Sequence, residues 1–177
     1  DSKLLLPHQR EKFVSELLKE KGLKFQTARC FPKTIDKINI YQAARLAMRR
    51  AVGKLVNSLQ FTVYRKRGLK TQNSELKTVS CKLKTIILVD GKTEIAGLNL
   101  PQMAIVKGDR KVFAIACASI LAKVIRDKMM KRYAKKFPNY GFERHKGYGT
   151  KFHQVQLAAL GPCKLHRRSF APVAKLL

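Results

Sequence analysis

Two short apolar runs, each followed by an aspartate, constrain the fold of this chain more than any other feature. The first run, IILV at residues 86–89, ends at Asp90. The second, AIV at residues 104–106, is followed by Lys-Gly and then by Asp109. A continuous apolar run of this length is typical of a strand that is covered on both faces of a sheet. We therefore predict two buried strands whose carboxyl ends carry Asp90 and Asp109.

Helical periodicity surrounds these two predicted strands. The pattern predicts helices within residues 6–22, 35–59, 113–137 and 152–161, with Asn39 as the N-cap of the second, and a further strand over residues 23–31. Strands that alternate with helices indicate an α/β layer fold, here a single domain over residues 1–177 with a largely buried sheet. In such folds ligands gather at the carboxyl ends of the strands, where the two aspartates are expected.

Residues 60–84 differ in composition from the rest of the chain, since they are polar and strongly basic. We interpret them as a basic insertion within the domain that forms an exposed β-hairpin or loop, because a charge run is usually a solvated face. An added contact with nucleic acid remains the alternative.

The net charge of the chain points to a polyanionic partner. Lys and Arg number 38 against 11 Asp and Glu, which gives a formal charge of +27. From Arg110 onward the acids are Asp127 and Glu143 alone, so this part is the predicted electrostatic footprint. No apolar segment is long enough to span a membrane, and a cytoplasmic protein without a membrane partner is expected. The four cysteines are far apart, which favours reduced structural thiols over metal ligands or disulfides.

The two aspartates have three possible roles on position alone: a helix cap, a partner for a nearby lysine, or a metal ligand. A divalent cation requires hard oxygen ligands, and the surrounding lysines and arginines can hold a phosphodiester. Two carboxylates that converge within a basic field therefore describe a phosphodiesterase better than a scaffold.

Several motifs together resemble one family, the type II ribonucleases H of bacteria. They occur in the family's order over nearly the whole chain apart from residues 60–84, and they read DSK, IDKINIYQAARLAMRRAV, ILVDG, AIVKGDRKVFAIACASILAKVIRD, FPNYGFERHKGYGTKFH and HRRSFAPV. The resemblance implies a ribonuclease H-like fold, with a central mixed sheet flanked by helices. It also implies endonucleolytic cleavage of RNA in RNA–DNA hybrids and at single ribonucleotides in duplex DNA.

The resemblance also assigns roles to individual residues. The VDG and KGD motifs place two of the family's four metal-binding acids on Asp90 and Asp109, with Mg²⁺ or Mn²⁺ as the cofactor. Metal-assisted hydrolysis is expected to leave a 5′ phosphate and a 3′ hydroxyl. Tyr148 matches the tyrosine that packs at the RNA-to-DNA junction and distinguishes a ribose from a deoxyribose. Three further residues are predicted to contact the phosphates of the nucleic acid: Lys3, Lys146 and Arg168.

Four other residues in the matching motifs are expected to be structural. Asp127 follows Lys123 by four residues on a predicted helix, which favours an ion pair between them over a role as a metal ligand. The histidines of the matched motifs have no compact metal-binding spacing and are interpreted as structural or backbone-contacting; they are His145, His153 and His166.

The sequence departs from the family at its start. The family's opening strand with Asp-Glu, followed by Gly-Arg-Gly, has no counterpart here, so the N-terminal strands and two of the four acids are missing from this sequence. We expect the chain as written to be impaired in catalysis. An incomplete chain from an active, monomeric enzyme is the favoured explanation, and a non-catalytic, basic nucleic-acid-binding module is the alternative.

Overall fold

The computed structural model describes residues 1–66 and 85–177, and its elements follow the predicted alternation only in part. Seven helices and two strands occur in these residues. In chain order they are α1 (Pro7–Leu17), α2 (Pro32–Lys66), β1 (Ile87–Asp90), β2 (Gln102–Ile105), α3 (Gly108–Lys111), α4 (Phe113–Lys136), α5 (Phe142–His145), α6 (Lys151–Leu160) and α7 (Ala171–Ala174).

Strands β1 and β2 pair in parallel, with Asp90 opposite Ile105. Both were predicted from their apolar runs, but the prediction that the sheet is largely buried is wrong for the described residues. Val89 alone of the eight strand residues is buried, and Met103 of β2 is 51% exposed. Burial on both faces comes from helices that pack on the sheet, and among the described residues α3 and α4 pack mainly against β1. The two strands pair only with each other in the part of the chain that the structure describes, so this small sheet leaves much of its surface uncovered.

Helix α4 provides the main apolar core. Its buried side chains recur at helical spacing and pack against Val14 and Leu17 of α1; they are Cys117, Ile120, Leu121 and Val124. Burial of each large apolar side chain stabilises the fold by about 1.5–3 kcal/mol. This helix was predicted over residues 113–137, and the observed range differs by one residue. A second cluster, with Met130, Tyr140 and Phe142, lies toward the other end of α4.

Helix α2 contains a kink at Asn39, the residue that was predicted to be the N-cap of this helix. Asn39 has φ 63° and ψ 168°, and its side-chain oxygen accepts a hydrogen bond from Gln42 N at 3.0 Å. The predicted N-cap is therefore confirmed, because this is the bond that an N-cap residue accepts. A helical segment from Pro32 precedes the kink and was not predicted.

Two further predictions about this part of the chain are wrong. Residues 23–31 were predicted to form a strand, but no described strand pairs with them and they lead irregularly from α1 to α2. Residues 60–66, predicted to begin a hairpin or loop, continue α2 as helix. The rest of the predicted insertion, residues 67–84, lies outside the described residues.

The described cysteines are free thiols, as expected. Cys30, Cys117 and Cys163 form no disulfide, and Cys81 lies outside the described residues. Among residues 1–66 and 85–177, no helix combines the length and the apolar character needed to cross a membrane.

Gly141 provides a first testable prediction because it begins α5 with φ +75°. A Cβ atom at this position would lie 2.4 Å from Phe152 Cε1 and 3.4 Å from His145 Nε2. We expect Gly141→Ala to lower the free energy of unfolding by about 2 kcal/mol, from backbone strain and overpacking together. Gly22→Ala is the control, since nothing lies within 4 Å of its added Cβ. Urea denaturation of both variants measures the difference, and equal stabilities would contradict the prediction.

Candidate active site

Asp90 lies at the carboxyl end of β1, and its carboxylate contacts the turn that follows β2. Gly108 N donates a hydrogen bond to Asp90 Oδ1 at 2.8 Å. The turn reaches this position because Lys107 adopts the left-handed conformation, with φ 56°. Gly108 is needed for the close approach, since an added Cβ would lie 2.7 Å from Ile115 Cδ1 and 3.4 Å from Asp90 Oδ1. One oxygen of Asp90 is thus oriented by the backbone, while the residue itself is exposed.

Asp109 follows Gly108 directly, in the first turn of α3. It was predicted at the end of a strand, but β2 ends at Ile105 and Asp109 lies four residues further along. Its side chain makes no hydrogen bond or ion pair with any described residue, whereas its carbonyl oxygen accepts from Asp1 N at 3.1 Å. The contact between Gly108 and Asp90 brings the backbone of Asp109 within one residue of the first carboxylate. The structure therefore places the backbone of Asp109 close to the Asp90 carboxylate.

The DSK segment at residues 1–3 lies against the same region. The Asp1 carboxylate accepts from Lys3 N at 2.9 Å and pairs with Arg110 Nη2 at 3.1 Å. Ser2 is buried and its hydroxyl lies 3.1 Å from Ser119 Oγ on α4. Lys3 itself is exposed, and its backbone N binds the side chain of Asp1, the residue that contacts Asp109. Its position suits contact with an anion near the two acids.

A buried set of charges connects this segment to Tyr148. The guanidinium of Arg10 donates to Ser2 O at 3.1 Å and pairs with Asp127 Oδ2 at 3.4 Å. Asp127 Oδ1 pairs with Lys123 Nζ at 2.9 Å, which confirms the predicted structural ion pair. Lys123 Nζ in turn lies 5.7 Å from the centre of the Tyr148 ring. The sequence did not reveal Arg10 as the second partner of Asp127.

The Tyr148 loop, residues 145–150, presents an exposed aromatic side chain. Tyr148 is 59% exposed, and Lys123 lies over its ring at cation–π distance. Lys146 is partly buried, has φ 52°, and its ammonium donates to the carbonyl oxygen of Glu143. Arg126 donates to Lys146 O at 3.0 Å. An exposed ring next to a cation is a suitable surface for a sugar or base near a phosphate.

Arg168 lies in the loop before α7, which is fixed to α2 by a carboxylate. Asp36 accepts from Arg168 N and from Ser169 N, both at 3.0 Å, and from Ser169 Oγ at 2.6 Å. The hydroxyl of Ser169 is the main cause that lowers the pKa of Asp36 below its ordinary value. The side chain of Arg168 is exposed. No described contact joins it to Asp90 or Tyr148, so its predicted role as a phosphate contact stays a prediction.

Comparison with known proteins decides the family. The family model for ribonuclease HII matches residues 1–173. The chain is 45% identical to a ribonuclease HII of Caldicellulosiruptor saccharolyticus, over 96% of this chain and 70% of that protein. It is 41% identical to the ribonuclease HII of Hyphomonas neptunium, over 100% of this chain and 80% of that protein. The chain belongs to the ribonuclease HII family.

A solved structure supports the fold of this ribonuclease HII. The crystal structure of the ribonuclease H2 from Pyrococcus horikoshii OT3 matches with a TM-score of 0.58, over 99% of this chain and 78% of that chain. The sequence identity is 22%, so this likeness bears on the fold alone. The predicted ribonuclease H-like α/β fold is confirmed, and membership of the family identifies the chain as a ribonuclease H hydrolase.

The ribonuclease HII family depends on a divalent metal ion, and the two carboxylates fit such an ion in their chemistry. Carboxylate oxygens are the hard ligands that Mg²⁺ and Mn²⁺ prefer. Gly108 N occupies one oxygen of Asp90, while Asp90 Oδ2 and both oxygens of Asp109 make no hydrogen bond with a described residue. The described residues contain no group of three or more histidines, cysteines or acids that could hold a metal ion. The two aspartates thus offer part of a ligand set.

The three predicted structural histidines form one packed cluster. His145 and His153 are buried, and their rings stack with centroids 4.1 Å apart. His166 contacts His153 through their Nε2 atoms at 3.1 Å. Burial is the main cause that lowers the pKa of both His153 and His166 below the ordinary value. Their interpretation as structural residues is confirmed, although their spacing in the sequence did not indicate that they meet.

Proposed function

We propose that this ribonuclease HII cleaves the RNA strand of RNA–DNA hybrids, and single ribonucleotides in duplex DNA, at a site built on Asp90 and Asp109. The observation that carries the proposal is the hydrogen bond from Gly108 N to Asp90 Oδ1. This bond orients one carboxylate and brings the backbone of Asp109 close to it at the end of β1, which supports a shared role for the two acids. The two acids lie in a chain of formal charge +27, which attracts the phosphate backbone of a duplex.

Mg²⁺ or Mn²⁺, when bound, would supply Lewis-acid activation of water and stabilise negative charge on the leaving oxygen. Asp90 and Asp109 are the residues that would hold it. Gly108 fixes the orientation of Asp90, so this carboxylate does not have to reorganise when it binds. Lys3, Lys146 and Arg168 are proposed to hold backbone phosphates on either side of the bond that is cut.

Tyr148 is proposed to select the ribonucleotide. Its exposed ring can pack against a sugar at an RNA-to-DNA junction, where the 2′-OH is the feature that separates RNA from DNA. Lys123 lies 5.7 Å from the ring centre and holds a positive charge beside it. A phosphate adjacent to the selected sugar would then lie near an ammonium group.

A duplex DNA that contains one ribonucleotide tests the proposed reaction. In Mn²⁺ or Mg²⁺ we expect a protein in which residues 1–177 follow the family's Asp-Glu strand to nick the duplex at the ribonucleotide, leaving a 5′ phosphate and a 3′ hydroxyl. Gel electrophoresis with end-labelled strands detects both products. The same duplex without the ribonucleotide is the control and should stay intact. No nick in either metal would contradict the proposed function.

A basic module that binds nucleic acid without cutting it is the second candidate function. It is favoured by the limited number of acids, since the described residues contain no group of three or more potential metal ligands. Both candidates predict an affinity for duplexes that falls with salt, so binding cannot separate them. A metal-dependent nick separates them. The monomeric state and the cytoplasmic location stay predictions from the sequence.

A further inference from the structure

Two histidines contact the backbone on either side of Tyr148. His145 Nδ1 accepts a hydrogen bond from Gly147 N at 3.1 Å. His153 Nδ1 lies 2.9 Å from Tyr148 O. The Tyr148 ring points outward and is exposed, while the peptide groups beside it are held from the interior. Two backbone hydrogen bonds also hold this residue, since Tyr148 N donates to His145 O at 2.8 Å and Tyr148 O accepts from Thr150 N at 2.9 Å. The two histidine rings therefore add side-chain contacts to a backbone position that this turn already defines.

The hydrogen bonds determine which nitrogen of each ring carries the proton. Cys163 N can only donate, so His166 Nδ1 must accept from it at 3.0 Å. In neutral His166 the proton is then on Nε2, which donates to His153 Nε2 at 3.1 Å. His153 Nε2 accepts, so its own proton is on Nδ1 and is donated to Tyr148 O. One tautomer of each ring satisfies all four nitrogens.

The third ring of the cluster, His145, carries its proton on Nε2, as His166 does. His145 accepts at Nδ1 from Gly147 N, and its Nε2 donates to Tyr140 O at 2.7 Å. Phe142, which is 2% exposed, meets the edges of His145 and His153 with centroids 5.9 Å and 5.7 Å away. These rings cannot rotate independently, because each is packed on two sides by aromatic neighbours.

An added proton would break the arrangement. A proton on His153 Nε2 would face the donor of His166, and a proton on His166 Nδ1 would face Cys163 N–H. Charged side chains are carried by the elements that contain or adjoin the cluster, namely α5, the Tyr148 loop, α6 and the segment after α6. They are Glu143, Arg144, Lys146, Lys151, Lys164 and Arg167. Glu143 pairs with Arg144 at 3.8 Å, and no described carboxylate contacts a ring of the cluster. The surroundings therefore favour neutral rings, in line with the lowered pKa of His153 and His166.

We propose that His153 and His166 are positioning residues for ribonucleotide selection: as a neutral, hydrogen-bonded pair they fix the backbone of Tyr148 and so the place of its ring on the substrate. This inference rests on the proposed function, in which Tyr148 contacts the ribose. Neither histidine touches the substrate, and both act through the Tyr148 carbonyl group. The pair links three parts of the chain, which are the C-terminal segment with His166, α6 with His153, and the Tyr148 loop.

Nitrogen-15 NMR of the histidine side chains tests the arrangement directly and requires no substrate. At pH 7.5 we expect the proton on Nδ1 of His153 and on Nε2 of His145 and His166. His8, which is exposed on α1 and makes no hydrogen bond with a described residue, is the internal control and should show no single fixed tautomer. A proton on Nε2 of His153, or a positive charge on the ring of His153 or His166, would overturn the proposal.

A set of variants tests whether the pair acts through Tyr148. The measurement is the ratio of dissociation constants for an all-DNA duplex and for the same duplex with one ribonucleotide, with EDTA present so that no strand is cut. We expect Tyr148→Ala and His153→Leu each to lower this selectivity by about tenfold, the effect of one lost interaction of this kind. In the double variant the second change should have no further effect, because both remove the same interaction. His153→Asn should retain most of the selectivity, since its amide can still donate to Tyr148 O.

The outcomes separate the proposal from the function on which it rests. Suppose that Tyr148→Ala lowers the selectivity. If His153→Leu then leaves the selectivity unchanged, or if the double variant shows the full sum of two independent losses, the positioning role is wrong and the proposed function stands. If Tyr148→Ala leaves the selectivity unchanged, the role of Tyr148 is wrong and the positioning role fails with it. Thermal melting checks that each variant folds. If His153→Leu does not fold, His166→Asn replaces it. The Asn side chain can still accept from Cys163 N but is too short to donate to His153 Nε2. Unchanged selectivity in this variant would again overturn the proposal.

Discussion

Replacement of Asp90 by Asn is expected to abolish cleavage and leave the binding of a duplex largely unchanged. The amide oxygen of Asn can still accept from Gly108 N, so the local backbone should keep its position. The variant loses the negative charge that would hold a divalent ion. Metal-ion activation contributes several kcal/mol to such a reaction, and a loss of about 4 kcal/mol corresponds to about a thousandfold in rate. The nicking rate of a duplex with one ribonucleotide measures the effect.

Glu94 provides the matched control for this experiment. It lies four residues after Asp90, is exposed, and makes no hydrogen bond or ion pair with a described residue. Glu94→Gln removes the same charge from the same loop and should cut at the rate of the unmodified protein. Duplex binding by Asp90→Asn should stay within about threefold, because the basic surface provides most of the affinity. Cleavage by Asp90→Asn at the unmodified rate would refute the role of Asp90 as a ligand.

Local sequence patterns predicted two helices closely, placed the ends of α1 and α2 several residues away from the observed ones, and did not predict the short helices α3, α5 and α7. The limits of α4 and α6 were predicted to within a residue, because long apolar periodicity and a terminal Gly161 are encoded in the segment itself. The segment 23–31 failed as a strand, because a strand also requires a partner and no local signal names one. Asn39 was identified as a cap, but the helix before it depends on packing elsewhere in the chain.

The candidate site shows the same division. The sequence predicted Asp90 and Asp109 as a pair, and the turn through Gly108 brings the backbone of Asp109 close to the Asp90 carboxylate. The contact between Arg10 and Asp127 joins residues 117 positions apart, and periodicity carries no information about such a pair. His153 and His166 were identified as structural, yet only the fold shows that their rings hydrogen-bond and hold the Tyr148 loop.

Replacement of Asp127 by Ala is expected to lower the free energy of unfolding by about 3–5 kcal/mol, because it leaves buried charge without a partner. The side chains of Arg10 and Asp127 are 9% and 14% exposed, and Lys123 also pairs with this carboxylate. Without the Asp127 carboxylate, the positive charges of Arg10 and Lys123 would lie near each other in a largely buried environment. Urea denaturation measures the loss, and Glu16→Ala is the control, since the Glu16–Lys19 pair is 60% and 69% exposed and such pairs contribute about 0–1 kcal/mol. If Asp127→Ala is destabilised no more than Glu16→Ala, then the set of charges that connects residues 1–3 to Lys123 and the Tyr148 ring does not stabilise the fold.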